Sequence, residues 1–329
     1  MLVVDDGSTD DSRARLAPYG DRVELVFTGH GGQAAALNAG LARARGDAVM
    51  FLDADDVLRP DAAALVAAAL SANPAAVRVQ FRMEVIDARG APTGAVKPAP
   101  HLAPPSGDLR REQLAFPFDL AWMSYSAGGF RRAALERILP IPEREFAECP
   151  DWYLVHLAPL LGEVVSLPDV AAAYRVHGAN RYERAAGELD LDHVRRSVAY
   201  AAATAGALQG LAAELGLARP RGPILSVADL ANRLVSLKLE PALHPVPGDR
   251  AARLALDGVR AARRRFDSPW QLKLLYAGWF GLAAAAPRPL ARALAGLLLP
   301  ERRPWAAPLL RPLHARGRRA PAPGRLRSG

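Results

Sequence analysis

An apolar run, Ala48-Val49-Met50-Phe51-Leu52, ends abruptly in Asp53-Ala54-Asp55-Asp56, three carboxylates within four residues. The run reads as a buried strand, and the carboxylates as the loop at its C-terminal end. In an open α/β sheet that end is where ligands bind. Carboxylates crowded together repel one another unless a cation sits between them. An oxygen-ligated divalent metal carrying a phosphate resolves the repulsion. So does a solvated acidic turn that merely precedes the helix begun at Pro60 and Asp61.

The segments before the run decide what surrounds it. Met1 to Val4 is a short strand, followed by Asp5-Asp6-Gly7-Ser8-Thr9-Asp10, where Ser8 or Thr9 can cap a helix. Arg22 to Phe27 is a second strand, with Val23, Leu25 and Phe27 alternating. The turn Gly29-His30-Gly31-Gly32-Gln33 leads into a helix, Ala34 to Arg45. Asn38 and Gly40 lie on its body, where both are poor helix formers, which points to a close approach to a ligand or to a packed neighbour. The order β-α-β-α-β is that of a parallel, nucleotide-binding sheet. Neither a dinucleotide glycine fingerprint nor a phosphate-binding P-loop accompanies it.

Later segments add to the pattern. Pro60 to Ala72 reads as an amphipathic helix, Val77 to Ile86 as a strand, and Pro92 to Gly107, rich in Pro and with His101, as a loop. Pro150 suits the first turn of a helix, whose field favours an ionised carboxylate at Asp151. Val164 to Pro168 and Ala171 to Val176 read as two strands, and the second runs into Arg175, His177 and Asn180.

Taken together, Val3-Val4-Asp5-Asp6-Gly7-Ser8-Thr9-Asp10, Gly32-Gln33 with Asn38-Ala39-Gly40, and Phe51 to Asp56 resemble a family 2 glycosyltransferase. Tyr174-Arg175-Val176-His177-Gly178-Ala179-Asn180 is similar to that family's Tyr-Arg-x-His-x-x-Asn signature, and the resemblance covers about residues 1–181. It implies an α/β, GT-A fold: a Rossmann-like, mostly parallel sheet flanked by helices, with a C-terminal helical extension. It implies Mg²⁺ or Mn²⁺ held by Asp53, Asp55 and His177. Asp5, Asp6, Gly32, Asn38, Asp53 and Arg175 would bind the nucleotide diphosphate sugar donor. Asp151 matches the Asp of the family's Glu-Asp pair and would be the catalytic base; here Pro150 replaces the Glu. Ser124 to Phe130 would line the acceptor pocket and open a helix from Arg131 to Ile138. The implied reaction is inverting transfer of a sugar to a glycan, lipid-linked or other hydroxyl acceptor, in cell-surface polysaccharide or glycoconjugate synthesis. A non-catalytic relative that binds a sugar nucleotide or a partner is the alternative.

Family members also carry a strand and a helix before their Val-Asp-Asp-Gly-Ser strand. Their absence implies that Met1 begins inside the domain, with a gap beside Ala48–Leu52 or a shift of Met1–Val4 into the vacated place. The expected division is 1–105 for the donor half, 106–185 for the acceptor half, 186–299 for a helical extension, and 300–329 for a basic, unstructured tail.

Charge separates the last part from the rest. Residues 250–329 hold 17 Lys and Arg against 3 Asp and Glu, whereas residues 1–249 hold 25 against 31. Leu189–Leu215, Val227–Leu239 and Arg250–Phe266 have helical length. Leu274 to Pro287 is 14 residues without a charge, short of the roughly 20 that span a bilayer. It reads as an in-plane interfacial helix or as a buried core helix. An anionic membrane surface is the expected contact for residues 269–329. Nucleic acid is disfavoured, because no recognition motif accompanies the arginines. With one cysteine, Cys149, and no secretory signal, the expected location is cytoplasmic, peripheral on the inner face of the plasma membrane.

Overall fold

The computed structural model describes residues 1–100, 104–120, 122–178, 180, 189–218, 225–265 and 270–298. His101 and the basic tail 300–329 lie outside the described residues. The chain divides into two compact units. One comprises Met1–Lys97, Pro105–His177 and Ala199–Ile224; the other comprises Pro98–Pro104, Gly178–Val198 and the helices from Leu225 onward.

In the first unit, β1 (Leu2–Asp5) and β2 (Glu24–Phe27) form a parallel pair, and helix α1 (Gln33–Leu41) packs on β1. A Cβ at Gly40 would lie 3.3 Å from Val4 Cγ2, so the small residue inside this helix serves helix–strand packing. The apolar run before the acidic loop gives a strand of only two residues, β3 (Ala48–Val49). After the acidic loop come β4 (Val57–Leu58), α2 (Ala62–Ala72), β5 (Ala76–Ile86) and β6 (Pro92–Lys97). β7 (Gly128–Arg131), α3 (Pro150–Leu161) and β8 (Glu163–Arg175) complete the sheet.

The larger sheet has the order β3-β7-β5-β8-β4, with β6 on β5. It is mixed rather than mostly parallel. Only β5 and β8 run parallel, and α3 precedes β8 as a crossover needs. β6 turns back on β5 through Asp87–Gly90, which a tight turn permits only in antiparallel geometry. Pro92–Lys97 is therefore a strand and not part of a loop. The stretch expected as two strands after Gly162 is one continuous strand, β8. Before the expected Arg131–Ile138 helix stands a strand, β7, and the helix itself is the single turn Arg132–Leu135. β1 and β2 form a sheet of their own, and no ladder joins β1 to β3.

β5 is covered on both faces. Val79, Phe81 and Met83 meet Val66, Ala69 and Leu70 of α2, all buried. Arg78 and Gln80, on the alternate positions, are also buried, and Arg78 reaches Val155 of α3. At the sheet edge, β4 pairs with β8 through Val57↔Ala173 and Leu58↔Ala172. That pairing carries the acidic loop to the end of β8, where Arg175 and His177 follow.

The second unit is helical. It begins with the first turns of α4 (Leu191–Glu214), whose later turns belong to the first unit, and continues through α5 (Val227–Leu239), α6 (Ala251–Arg264), α7 (Trp270–Ala285) and α8 (Arg288–Leu298). Ser226 caps α5 by accepting from Asp229 N at 3.3 Å. Its core gathers Leu230, Leu234, Leu254, Trp279 and Phe280. Gly258 lets α6 approach so closely that a Cβ there would sit 2.4 Å from the Phe280 ring.

Candidate active site

The loop after β1 carries two carboxylates with different work. Asp5 is buried and accepts from Ser8 N at 2.7 Å and from Arg13 Nε at 2.8 Å. The Ser8 hydrogen bonds, with Arg13 behind them, hold its carboxyl down at about 2. Asp6 accepts from Gly31 N and Gly32 N, each at 2.8 Å, and so fixes the turn that starts α1. Gly32 has φ +87°, and a Cβ there would meet the Ala147 carbonyl oxygen at 2.8 Å. The close approach at Gly32 is to the backbone of Ala147. Asn38 is likewise turned to a packed neighbour. It donates to the Ile141 carbonyl and accepts from Ile141 N, both at 2.9 Å, and it donates to Glu143 at 3.0 Å.

Asp53 is held by neutral donors. Gln33 Nε2 donates to its Oδ1 at 2.7 Å, the Tyr125 hydroxyl to the same oxygen at 2.6 Å, and Ser126 Oγ to Oδ2 at 3.2 Å. Gln33 also donates to the Tyr125 oxygen. Burial pushes the Asp53 carboxyl up to about 6 against the Tyr125 hydrogen bond, and the charges of Asp151, Asp56 and Asp55 push the same way. Burial also pushes the Tyr125 phenol up, so it remains a donor.

Asp55 faces the other way. Its carboxylate lies 2.9 Å from His177 Nε2 at the partly exposed mouth of the loop. Arg175 braces this loop: its backbone N donates to Asp56 Oδ1 at 3.2 Å and its Nε to the Asp55 carbonyl at 2.8 Å. Its Nη1 lies 3.4 Å from the Ala88 carbonyl in the β5–β6 turn. Arg175 thus joins backbone carbonyls of the acidic loop and of the β5–β6 turn. Asp56 is buried, its Oδ2 has no hydrogen-bond partner among the described residues, and burial pushes its carboxyl up.

The expected trio Asp53, Asp55 and His177 is not brought into one cluster. Among the described residues, no group of three His, Cys, Asp or Glu is placed to hold a metal ion. The physical reason is that Asp53 has turned inward to Gln33, Tyr125 and Ser126. What remains at the mouth is a carboxylate oxygen and an imidazole nitrogen side by side. That set fits a hard divalent ion that takes one or two protein ligands and completes its shell with substrate phosphate and water.

Asp151 lies in the first turn of α3 and accepts from Cys149 Sγ at 2.9 Å. Burial pushes its carboxyl up, while Cys149, the Trp152 amide and the Arg78 charge oppose that. Its charge reaches Asp53 and Tyr125, so two acids far apart in sequence share one electrostatic environment. Gln33, Tyr125 and Ser126 stood within motifs already singled out, yet their role in holding Asp53 is visible only in three dimensions. Arg78 was missed altogether.

The family described as Glycosyl transferase family 2 matches residues 1–139. An uncharacterized glycosyltransferase of Nostoc sp. is 32% identical over 193 residues, which is 56% of this chain and 58% of that protein. An uncharacterized glycosyltransferase of Haemophilus influenzae is 45% identical over 65 residues, 18% of this chain and 26% of the other. The chain thus spans less than two thirds of the length of either relative. Among solved structures, Staphylococcus aureus TarS aligns at a TM-score of 0.46 and 17% identity, over 86% of this chain and 48% of that one. The motifs after β1, at the start of α1 and after β3 all fall inside the stretch, residues 1–139, over which this chain matches glycosyl transferase family 2.

Proposed function

We propose that this chain transfers a sugar from a nucleotide diphosphate sugar to a hydroxyl acceptor, with inversion, and that Asp151 is the general base. The observation that carries the reading is the shared field of Asp53 and Asp151. It couples the acid of α3 to the loop that the family resemblance assigns to donor binding. Burial raises the proton affinity of Asp151, which makes its carboxylate a stronger base toward an acceptor hydroxyl. Asp151 takes the hydroxyl proton as the oxygen attacks the anomeric carbon from the face opposite the departing diphosphate. Asp53, fixed by Gln33, Tyr125 and Ser126, orients the donor.

Asp55 and His177 would hold Mg²⁺ or Mn²⁺, which when bound supplies positive charge against the leaving diphosphate. Arg175 keeps that pair in place through the Asp55 carbonyl and the Asp56 carboxylate. Donor sugars follow from screening UDP-, GDP- and dTDP-sugars by mass spectrometry. With the donor in hand, Asp151→Asn should leave donor affinity unchanged and lower turnover ~10²–10⁴-fold. Weak donor binding with intact saturated turnover would move Asp151 to a binding role.

One further observation favours a peripheral place on a cytoplasmic, anionic membrane face. On α7, Trp270, Leu274 and Leu282 are 67%, 62% and 62% exposed, while Leu272, Trp279 and Phe280 enter the core. Exposed Arg288 and Arg292 follow on α8. Among the described residues no helix is long and apolar enough to cross a membrane. An apolar helix face beside arginines suits in-plane binding at lipid headgroups.

A further inference from the structure

Arg78 is 1% exposed and sits on the α3-facing side of β5. Its Nη1 donates to the Val155 carbonyl at 3.3 Å and its Nη2 to the Met123 carbonyl. In a regular helix the Val155 carbonyl would be taken by the amide of residue 159, but that residue is Pro159 and has no N–H. Met123 leads into the segment that presents Tyr125 and Ser126 to Asp53. The Trp122 and Phe130 rings lie 5.3 and 5.4 Å from the guanidinium carbon. Among the described residues Arg78 makes no ion pair with a carboxylate; the acid whose charge acts on it is Asp151. A buried cation of this kind is costly unless a nearby negative charge offsets it.

We propose that Arg78 is a positioning residue for Asp151. It ties the helix that carries Asp151 to the loop that orients Asp53, and it supplies the positive charge that keeps the Asp151 carboxylate ionised. The inference rests on reading Asp151 as the general base. The other groups around Asp151 cannot take this role. Cys149 is a neutral donor, Asp53 is an acid, and Tyr125 keeps its proton. His156, on the same helix, is held neutral by burial, at about 3.

The test follows the Asp151 carboxyl carbon by NMR in the full chain labelled with ¹³C-aspartate, the resonance being identified with Asp151→Asn. Arg78→Lys keeps the charge, whereas Arg78→Gln keeps a donor without it. With lysine, Asp151 should titrate within a few tenths of a pH unit of the natural protein. With glutamine, the midpoint should rise by about one unit or more, a tenfold change in proton affinity. Equal midpoints in the two variants overturn the inference. Should either substitution fail to fold, the reciprocal measurement decides, because the coupling is symmetric. In Asp151→Asn, the Arg78 Nε–H should then exchange with solvent faster than in the natural protein, because a cation without its counter-charge gives up a proton more readily. An unchanged exchange rate overturns the inference. Full transfer activity in Asp151→Asn would refute the base assignment and leave this coupling standing, so the two failures are distinguishable.

Discussion

Asp53→Asn should make the protein more stable at about pH 8 and leave its stability nearly unchanged at about pH 4. Burial raises the folded-state pKa of Asp53 from 3.8 to about 6. Between those values the folded protein keeps a proton that the unfolded chain has released. The stability linked to that proton is complete below the unfolded value and is lost as pH rises through about 6. Two units at 1.36 kcal/mol each give ~3 kcal/mol of destabilisation at pH 8. Asparagine does not ionise, and its carbonyl oxygen can still accept from Gln33 and Tyr125, so it escapes most of that cost. For a domain of this size 1 kcal/mol is about 2–4 °C, so the melting temperature at pH 8 should rise by about 6–12 °C. The assay is a series of thermal melts of both proteins from pH 4.5 to 8 in chelating buffer, so that no metal ion contributes. A gap that does not change with pH, or one that opens toward acid, would refute the reasoning.

Asp55→Ala should abolish divalent-metal-dependent nucleotide binding, read by calorimetry with and without Mn²⁺, while the melting temperature changes little because Asp55 stands at the exposed mouth of the loop. Gly128→Ala should cost about 3 kcal/mol or more in urea unfolding, since the added Cβ would lie 2.0 Å from the Val79 carbonyl oxygen; a loss below about 1 kcal/mol would show that β5 and β7 can part there. Replacing Trp270, Leu274 and Leu282 together by Ser should release the protein from anionic vesicles in a sedimentation assay, and salt should weaken the natural protein's binding. Unchanged sedimentation would assign that face to something other than lipid.

The elements with a clean period were legible in the sequence. β1, β2, α2 and β5 fall where alternation or helical spacing places them, within a residue or two, whereas α1 ends at Leu41, four residues short of the expected Arg45. Pro92–Lys97 opens a Pro-rich stretch that reads as a loop, yet an edge strand tolerates Pro92 and Gly94. β8 runs on through Pro168, where the sequence reads as two strands. In the site, motif position located Asp53, Asp55, Asp151 and His177 but not their hydrogen-bond partners. Asn38 and Gly40 illustrate the difficulty: an unusual residue signals a close approach, and only the fold shows that the neighbour is Ile141 or Val4. Arg78 was hidden because Val77-Arg78-Val79-Gln80 alternates as a half-exposed strand would. Nothing local shows that a second helix covers the polar face. The signal that could have found it is Pro159, which leaves a helix carbonyl in need of a donor from elsewhere.

The parallel pairing of β5 with β8 joins two segments separated by the whole of residues 87–162. Closing so long a span has an entropic cost that must be met before the ladder gives anything back, so this register should form late in folding. During synthesis the acidic loop has neither its edge partner Ala172–Ala173 nor the Arg175 brace until the ribosome has passed residue 175. A nascent chain halted earlier would hold β5 with one side unpaired, a strand rich in Val, Phe and Ile and open to other chains. The strand arrangement that assembles the donor loop therefore also makes the last stretch of β8 the point at which the young chain ceases to be a hazard to its neighbours.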